Sequence, residues 1–196
     1  MNRRNTLIGL GLAPLVLAGC AHDAPPVRWY ELRADPPASP PAPRPGDGAV
    51  WEVASMVRLP GTLDRDTLVV ASGAAGVERL SGHRWVEPLR ASIPARLVTD
   101  LAVLRGEGLV WRAPVQSGVK VDKRLRVQID TLIADAARRS LQVKARWWLS
   151  DERGSPTAPV AGEADFQVPL ADTSVDALAA GHRMAVWQLA QRIAGG

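Results

Sequence analysis

The sequence predicts an α+β domain in which two long helices pack on one face of a mostly antiparallel sheet of five to seven strands. Apolar residues recur every three or four positions in segments 89–104 and 178–193, which predicts the helices. Polar and apolar residues alternate through 141–150, which is typical of an antiparallel strand buried on one face. Strands occur in runs broken by two helices, which favours α+β over a regular βαβ alternation.

The chain begins with the features of an export signal. A basic start precedes an apolar run, residues 6–17, that is shorter than the roughly 20 residues of a membrane span. The small pair Ala18-Gly19 then precedes the only cysteine, Cys20. Leu17-Ala18-Gly19-Cys20 resembles a bacterial lipobox, in which the thiol is acylated and becomes the new N-terminus. We predict a signal peptide over 1–19 and lipidation at Cys20; an ordinary signal peptide ending beside a cysteine is the alternative.

The remaining chain is predicted to be a short lipidated tether, residues 20–26, and one periplasmic domain, residues 27–196. Segment 34–48 is rich in proline, so we expect an extended connector there. Ala21 follows the cysteine where an Asp would retain such a lipoprotein at the inner membrane, which favours the periplasmic face of the outer membrane.

The charge and the residue types of the chain exclude several classes of function. Without Arg3 and Arg4 the chain has 22 basic and 20 acidic residues, a net charge of +2, and no basic run, so we expect no nucleic-acid partner. The histidines share no metal-ligand spacing, and neither a phosphate loop nor a nucleophile elbow is present. We therefore predict no catalytic, cofactor or metal site and interpret His83 and His182 as structural.

In chain order, aromatic and branched residues bounded by turn residues predict the strands. Their ranges are 27–33, 50–59, 68–71, 77–80, 109–112, 124–133, 141–150 and 160–170. Segments 68–71 and 77–80 should form a hairpin around a five-residue loop, and 135–140 should link the next antiparallel pair.

The first helix leaves one question open. Pro94 either kinks it or lies in a first turn that begins with Ser92 as N-cap. The second helix should open at residues 172–174, where Thr173 and Asp176 match a loose capping box.

Five segments together carry a resemblance to a known family. They are Trp29-Tyr30-Glu31-Leu32, the turn at 59–66, Arg84-Trp85-Val86-Glu87-Pro88-Leu89, Arg146-Trp147-Trp148-Leu149 and the helix end at 189–194. This pattern is similar to the ABC-type transport auxiliary lipoproteins of the PqiC (paraquat-inducible lipoprotein) type.

The resemblance implies a non-catalytic outer-membrane lipoprotein that assists an ABC/MCE-type system carrying phospholipid across the envelope and maintaining membrane integrity. It implies a homo-oligomeric ring whose partners are an MCE-domain (mammalian-cell-entry) periplasmic protein and its ABC or membrane subunits. The family-motif residues Tyr30, Arg84, Trp85, Glu87 and Pro88 would be structural. A structural lipoprotein that activates cell-wall synthesis or supports outer-membrane assembly is the alternative.

Two tryptophans have competing interpretations. Trp85, at the start of the first helix, should pack between the helix and the sheet. Glu87 should accept hydrogen bonds from the free backbone amides of the first turn. The alternative for Trp85 is that its ring stacks on a ligand. Alternation places Trp147 in the core and Trp148 on the opposite face beside Arg146. Arg146 and Trp148 are therefore either a subunit interface or ordinary covered surface.

Overall fold

The computed structural model describes residues 26–33, 48–154 and 158–195. Cys20, the predicted signal peptide and residues 34–47 of the predicted connector lie outside these ranges. No helix among the described residues has the length and apolarity needed to cross a membrane.

Eight strands and two helices make up the described part of the chain, one strand more than the five to seven predicted. The strands are β1 (Arg28–Tyr30), β2 (Trp51–Val53), β3 (Thr67–Ser72), β4 (Gly76–Trp85), β5 (Val110–Arg112), β6 (Lys123–Asp135), β7 (Ser140–Asp151) and β8 (Val160–Pro169). The helices are α1 (Leu89–Arg105), between β4 and β5, and α2 (Val175–Gly195), after β8. Helix α1 packs against α2, and both share one hydrophobic core with the sheet.

The sheet is curled and mixed, so the prediction of a mostly antiparallel sheet is wrong. Antiparallel pairs join β3 to β4, β6 to β7 and β7 to β8. Parallel pairs join β1 to β4, β2 to both β5 and β6, and β3 to the end of β6. Alternation within a strand identifies its buried face but carries no information on the direction of its neighbour.

The predicted hairpins form, with one change at the first. Strands β6 and β7 pair along their whole length, as predicted. In the β3–β4 hairpin Ser72 pairs with Gly76, so the loop between the strands has three residues rather than five. Strand β4 also extends to Trp85, because β1 and β3 both pair with its far end.

Pro94 lies inside helix α1 and not at its start. The helix begins at Leu89, after Pro88, and contains Pro94, so the start at Ser92 is wrong. Proline has no N–H to donate to the carbonyl four residues earlier, that of Arg90. The backbone N–H of Val57 donates to that carbonyl at 3.0 Å. The loop after β2 therefore satisfies the acceptor that Pro94 leaves free.

Helix α2 is capped one residue later than predicted. The Ser174 hydroxyl accepts a hydrogen bond from the Ala177 N–H at 3.1 Å, which makes Ser174 rather than Thr173 the N-cap. The predicted apolar stripe is buried throughout: Leu178, His182, Ala185, Val186, Leu189 and Ile193.

Candidate interaction surfaces

The family-motif residues come together where β1, β4 and the start of α1 meet. The parallel register of β1 and β4 places Trp29 opposite Arg84 and Tyr30 opposite Trp85. Tyr30 Oη lies 2.8 Å from His83 Nδ1, a hydrogen-bond distance. Residues 53 positions apart are thus neighbours at the sheet-to-helix junction.

Trp85 is buried at this junction, with 3% of its surface exposed. Its ring meets the imidazole of His182 edge-on, with centroids 5.2 Å apart, so it bridges β4 and α2. His182 Nδ1–H donates to the Leu178 carbonyl at 2.7 Å. Burial lowers the pKa of His182 to about 4, and the ring is therefore neutral at physiological pH.

Arg84 and Glu87 point to solvent and differ in their contacts. Arg84 Nη1 donates to Asp66 Oδ2 at 2.6 Å, and this hydrogen bond lowers the pKa of Asp66. Pro88 occupies the N-cap position of α1, where no side chain caps the helix, so the expected contact of Glu87 with the first-turn amides does not form. Arg84 therefore ties the end of β4 to the turn before β3.

A solvent-open groove of about 290 Å³ lies beside Trp85. Glu31, Glu87 and Arg96 line it together with apolar atoms of Leu32 and Val86. Across the described residues, no group of three or more His, Cys, Asp or Glu side chains could hold a metal ion. The groove is thus a mixed-charge surface beside β1 and the end of β4.

A second, larger surface surrounds Trp148 on the outer face of the sheet. Trp147 is buried and packs over Gly162, whereas Trp148 faces the other way, as alternation predicts. A groove of about 540 Å³ runs beside Trp148. Its lining includes Met56, Arg58, Arg126, Trp148 and Pro159, and these residues define the Trp148 surface.

Arg146 forms an ion pair with Asp130 of the same chain. Its guanidinium donates two hydrogen bonds to the Asp130 carboxylate, at 2.9 and 3.0 Å. The hydrogen bond to Arg146 also lowers the pKa of Asp130. The basic side chains that line the groove with Trp148 are instead Arg58 and Arg126.

Sequence reasoning missed a buried ion pair between the two helices. Arg183 donates two hydrogen bonds to Asp100, at 2.8 and 2.6 Å, and both side chains are 1% exposed. Burial raises the pKa of Asp100, and the hydrogen bonds from the Arg183 guanidinium oppose that shift. Asp100 lies three residues after Leu97 on the apolar stripe of α1, and a charge at such a position was the available signal.

The fold occurs in solved structures of low sequence identity. One is a crystal structure of a Xanthomonas campestris protein of the DUF330 family: TM-score 0.69, 16% identity, covering 86% of this chain and 93% of that one. Another is a crystal structure of an uncharacterized protein: TM-score 0.67, 14% identity, covering 87% and 97%. No curated protein matches the chain.

A family model matches residues 30–194, which include every strand and helix except the first residues of β1 and the last of α2. Its description is "ABC-type transport auxiliary lipoprotein component", and the predicted resemblance to the ABC-type transport auxiliary lipoproteins is confirmed. Lipoproteins of this kind are membrane-anchored, envelope-associated accessories of ABC transport systems. This chain belongs to the family of ABC-type transport auxiliary lipoproteins.

Proposed function

We propose that this chain is a non-catalytic accessory subunit of an ABC/MCE-type system that moves phospholipid between the two membranes and maintains membrane integrity. Acyl chains on Cys20 hold it at the periplasmic face of the outer membrane. Its partners are an MCE-domain periplasmic protein and the associated ABC or membrane subunits.

The family match over 30–194 carries this proposal, because it spans nearly the whole described domain. The surfaces support a docking role. Met56, beside Trp148, and Val160, beside Pro159, are both exposed, and Arg58 and Arg126 line the same groove. Aromatic, Met and Arg side chains are enriched where proteins bind one another.

Co-purification tests the partner. The full lipoprotein, extracted in mild detergent after cross-linking in cells, should retain an MCE-domain protein and an ABC-type ATPase. Arg58→Glu with Arg126→Glu should reduce that recovery, because it reverses the charge of the Trp148 surface and thereby weakens the ring of subunits that binds the partner. Recovery of a cell-wall synthase or an outer-membrane assembly protein instead would favour the alternative function.

Localisation tests the anchor. Cys20→Ser should leave the protein unprocessed or release it from the outer membrane, because the acyl chains are the strong anchor. Fractionation at high salt measures this, with Ser55→Ala as a control in the folded domain. A Cys20→Ser protein that still sediments with the outer membrane contradicts the lipobox.

We also infer that the subunits assemble into a homo-oligomeric ring through the Trp148 surface. A head-to-tail contact that closes a ring needs an anchor on each subunit and a complementary pocket on the next. Trp148 and Met56 provide apolar contact, and the groove between them has room for side chains of a neighbour.

A further inference from the structure

A cluster of exposed apolar side chains lies at the sheet edge next to the predicted anchor. Six large apolar side chains are exposed in the described part of the chain, and three of them lie here: Val27, Trp29 and Val86. Val27 and Trp29 are two residues apart along an extended segment and share a face. The Val86 N–H donates to the Tyr30 carbonyl at 2.9 Å, which places Val86 beside the end of β1. These three residues define the β1 patch.

Trp29 dominates the β1 patch. Its exposed fraction is 58%, whereas each of the other six tryptophans is buried or partly buried. Indole combines a large apolar body with one N–H donor and is enriched at the membrane–water interface for that reason. Arg33 lines a groove together with Trp29 and supplies charge suited to lipid phosphates; Glu31 and Asp176 line the same groove.

The length of the tether limits how far the β1 patch can lie from the anchor. Cys20 and Pro26 are six residues apart. A fully extended chain spans about 3.3–3.6 Å per residue, so the described domain begins within roughly 20 Å of an acylated Cys20. Among the described strands, β1 lies at an edge of the sheet and pairs with β4 alone. Its outer side can therefore face the bilayer.

We propose that the β1 patch docks on the lipid surface that holds Cys20, with Trp29 inserted among the headgroups. This inference rests on the proposed lipidation. Strands β4, β3 and β6 separate β1 from β7, which carries Trp148. The bilayer contact thus uses one region of the sheet and leaves the Trp148 surface for protein partners.

Quenching of tryptophan fluorescence tests the contact. The processed, lipidated full chain is reconstituted in phosphatidylethanolamine–phosphatidylglycerol vesicles whose acyl chains carry bromine near the headgroup. Bromine should quench the wild type, and Trp29→Phe should lose about half or more of that quenching, because Trp29 is the residue at the interface. Trp148→Phe is the matched control and should be quenched like the wild type. Melting midpoints confirm that both variants fold.

The possible results distinguish docking of the β1 patch from lipidation of Cys20. Mass spectrometry of Cys20 and flotation with vesicles report the anchor directly; a chain that is neither acylated nor floated overturns both proposals. A floated chain in which Trp29→Phe is quenched as strongly as the wild type overturns docking of the β1 patch and leaves the anchor intact. An oligomer that Trp29→Ala dissociates would assign the patch to a second copy and overturn membrane docking as well.

Discussion

At the scale of single residues, Trp85 is the side chain that joins sheet and helices. Because the ring is buried against His182, Trp85→Ala should lower the free energy of unfolding by about 3–5 kcal/mol. Urea unfolding measures the loss. Trp29→Ala, at the exposed tryptophan of β1, is the matched control and should change stability by less than about 0.5 kcal/mol. A Trp85→Ala protein with unchanged melting and lost transport would make Trp85 a ligand-binding residue.

The imidazole of His182 should make stability depend on pH. Its pKa in the folded chain is about 4, below the ordinary value of 6.5, so the unfolded chain binds the proton that the folded chain excludes. Stability is therefore complete above about pH 6.5 and is lost as the pH falls toward 4, by about 2–3 kcal/mol at pH 4.5.

Unfolding in urea at several pH values between about 7 and 4.5 tests His182. His182→Leu should remove most of the slope. The Asp122 pKa, lowered to about 2 by its hydrogen bond with Arg153, affects stability mainly below this window. A wild type equally stable across the window would show that His182 takes up its proton in the folded state.

At the scale of elements, the pairing of β7 with β8 depends on a glycine. Gly162 lies opposite Trp147, and a Cβ added there would overlap the Trp147 indole. Gly162→Ala should therefore cost about 1–3 kcal/mol, since neither the buried ring nor the strand can move freely. Thermal unfolding compares it with Gly61→Ala, where an added Cβ meets nothing within 4 Å. Equal stability of the two variants would refute this packing.

The elements that the sequence predicts best are those with local partners. The β6–β7 hairpin follows from alternation and a turn between neighbouring strands. Strands β1, β2 and β5 have three residues each, and their partners lie far along the chain in parallel orientation. Three residues specify neither the direction nor the identity of a distant neighbour, so the mixed sheet could not be predicted.

The same distinction between local and distant partners applies to the candidate surfaces. Alternation along β7 is a local property, and it predicts the opposite orientations of Trp147 and Trp148. The pairing of Arg146 with Asp130 and of Arg183 with Asp100 depends on contacts between separate elements. Charge and spacing identify candidates for such pairs but do not select the partner.

At the scale of the whole molecule, the domain lacking residues 1–20 should self-associate, and Trp148→Ala should weaken the assembly. A buried aromatic anchor commonly contributes about 2 kcal/mol or more to an interface. Sedimentation velocity over a range of concentrations measures this, with Trp29→Ala as the matched exposed-tryptophan control. A wild type that stays monomeric at high concentration excludes the ring; an oligomer unaffected by Trp148→Ala excludes only the role of that residue.

The parallel pairing of β2 has a consequence for synthesis of the chain. Both neighbours of β2 come later in the sequence, and the Val50 N–H and Asp122 carboxylate that bond beside it are 72 residues apart. At about 5–20 residues per second, a ribosome exposes Trp51 and Val53 roughly 4–15 s before β6 emerges. Chaperones therefore have time to bind this segment. Nascent chains arrested before Lys123 should be cleaved near β2 by a protease that spares the complete, released chain; equal protection of both would show that β2 is shielded before its partners exist.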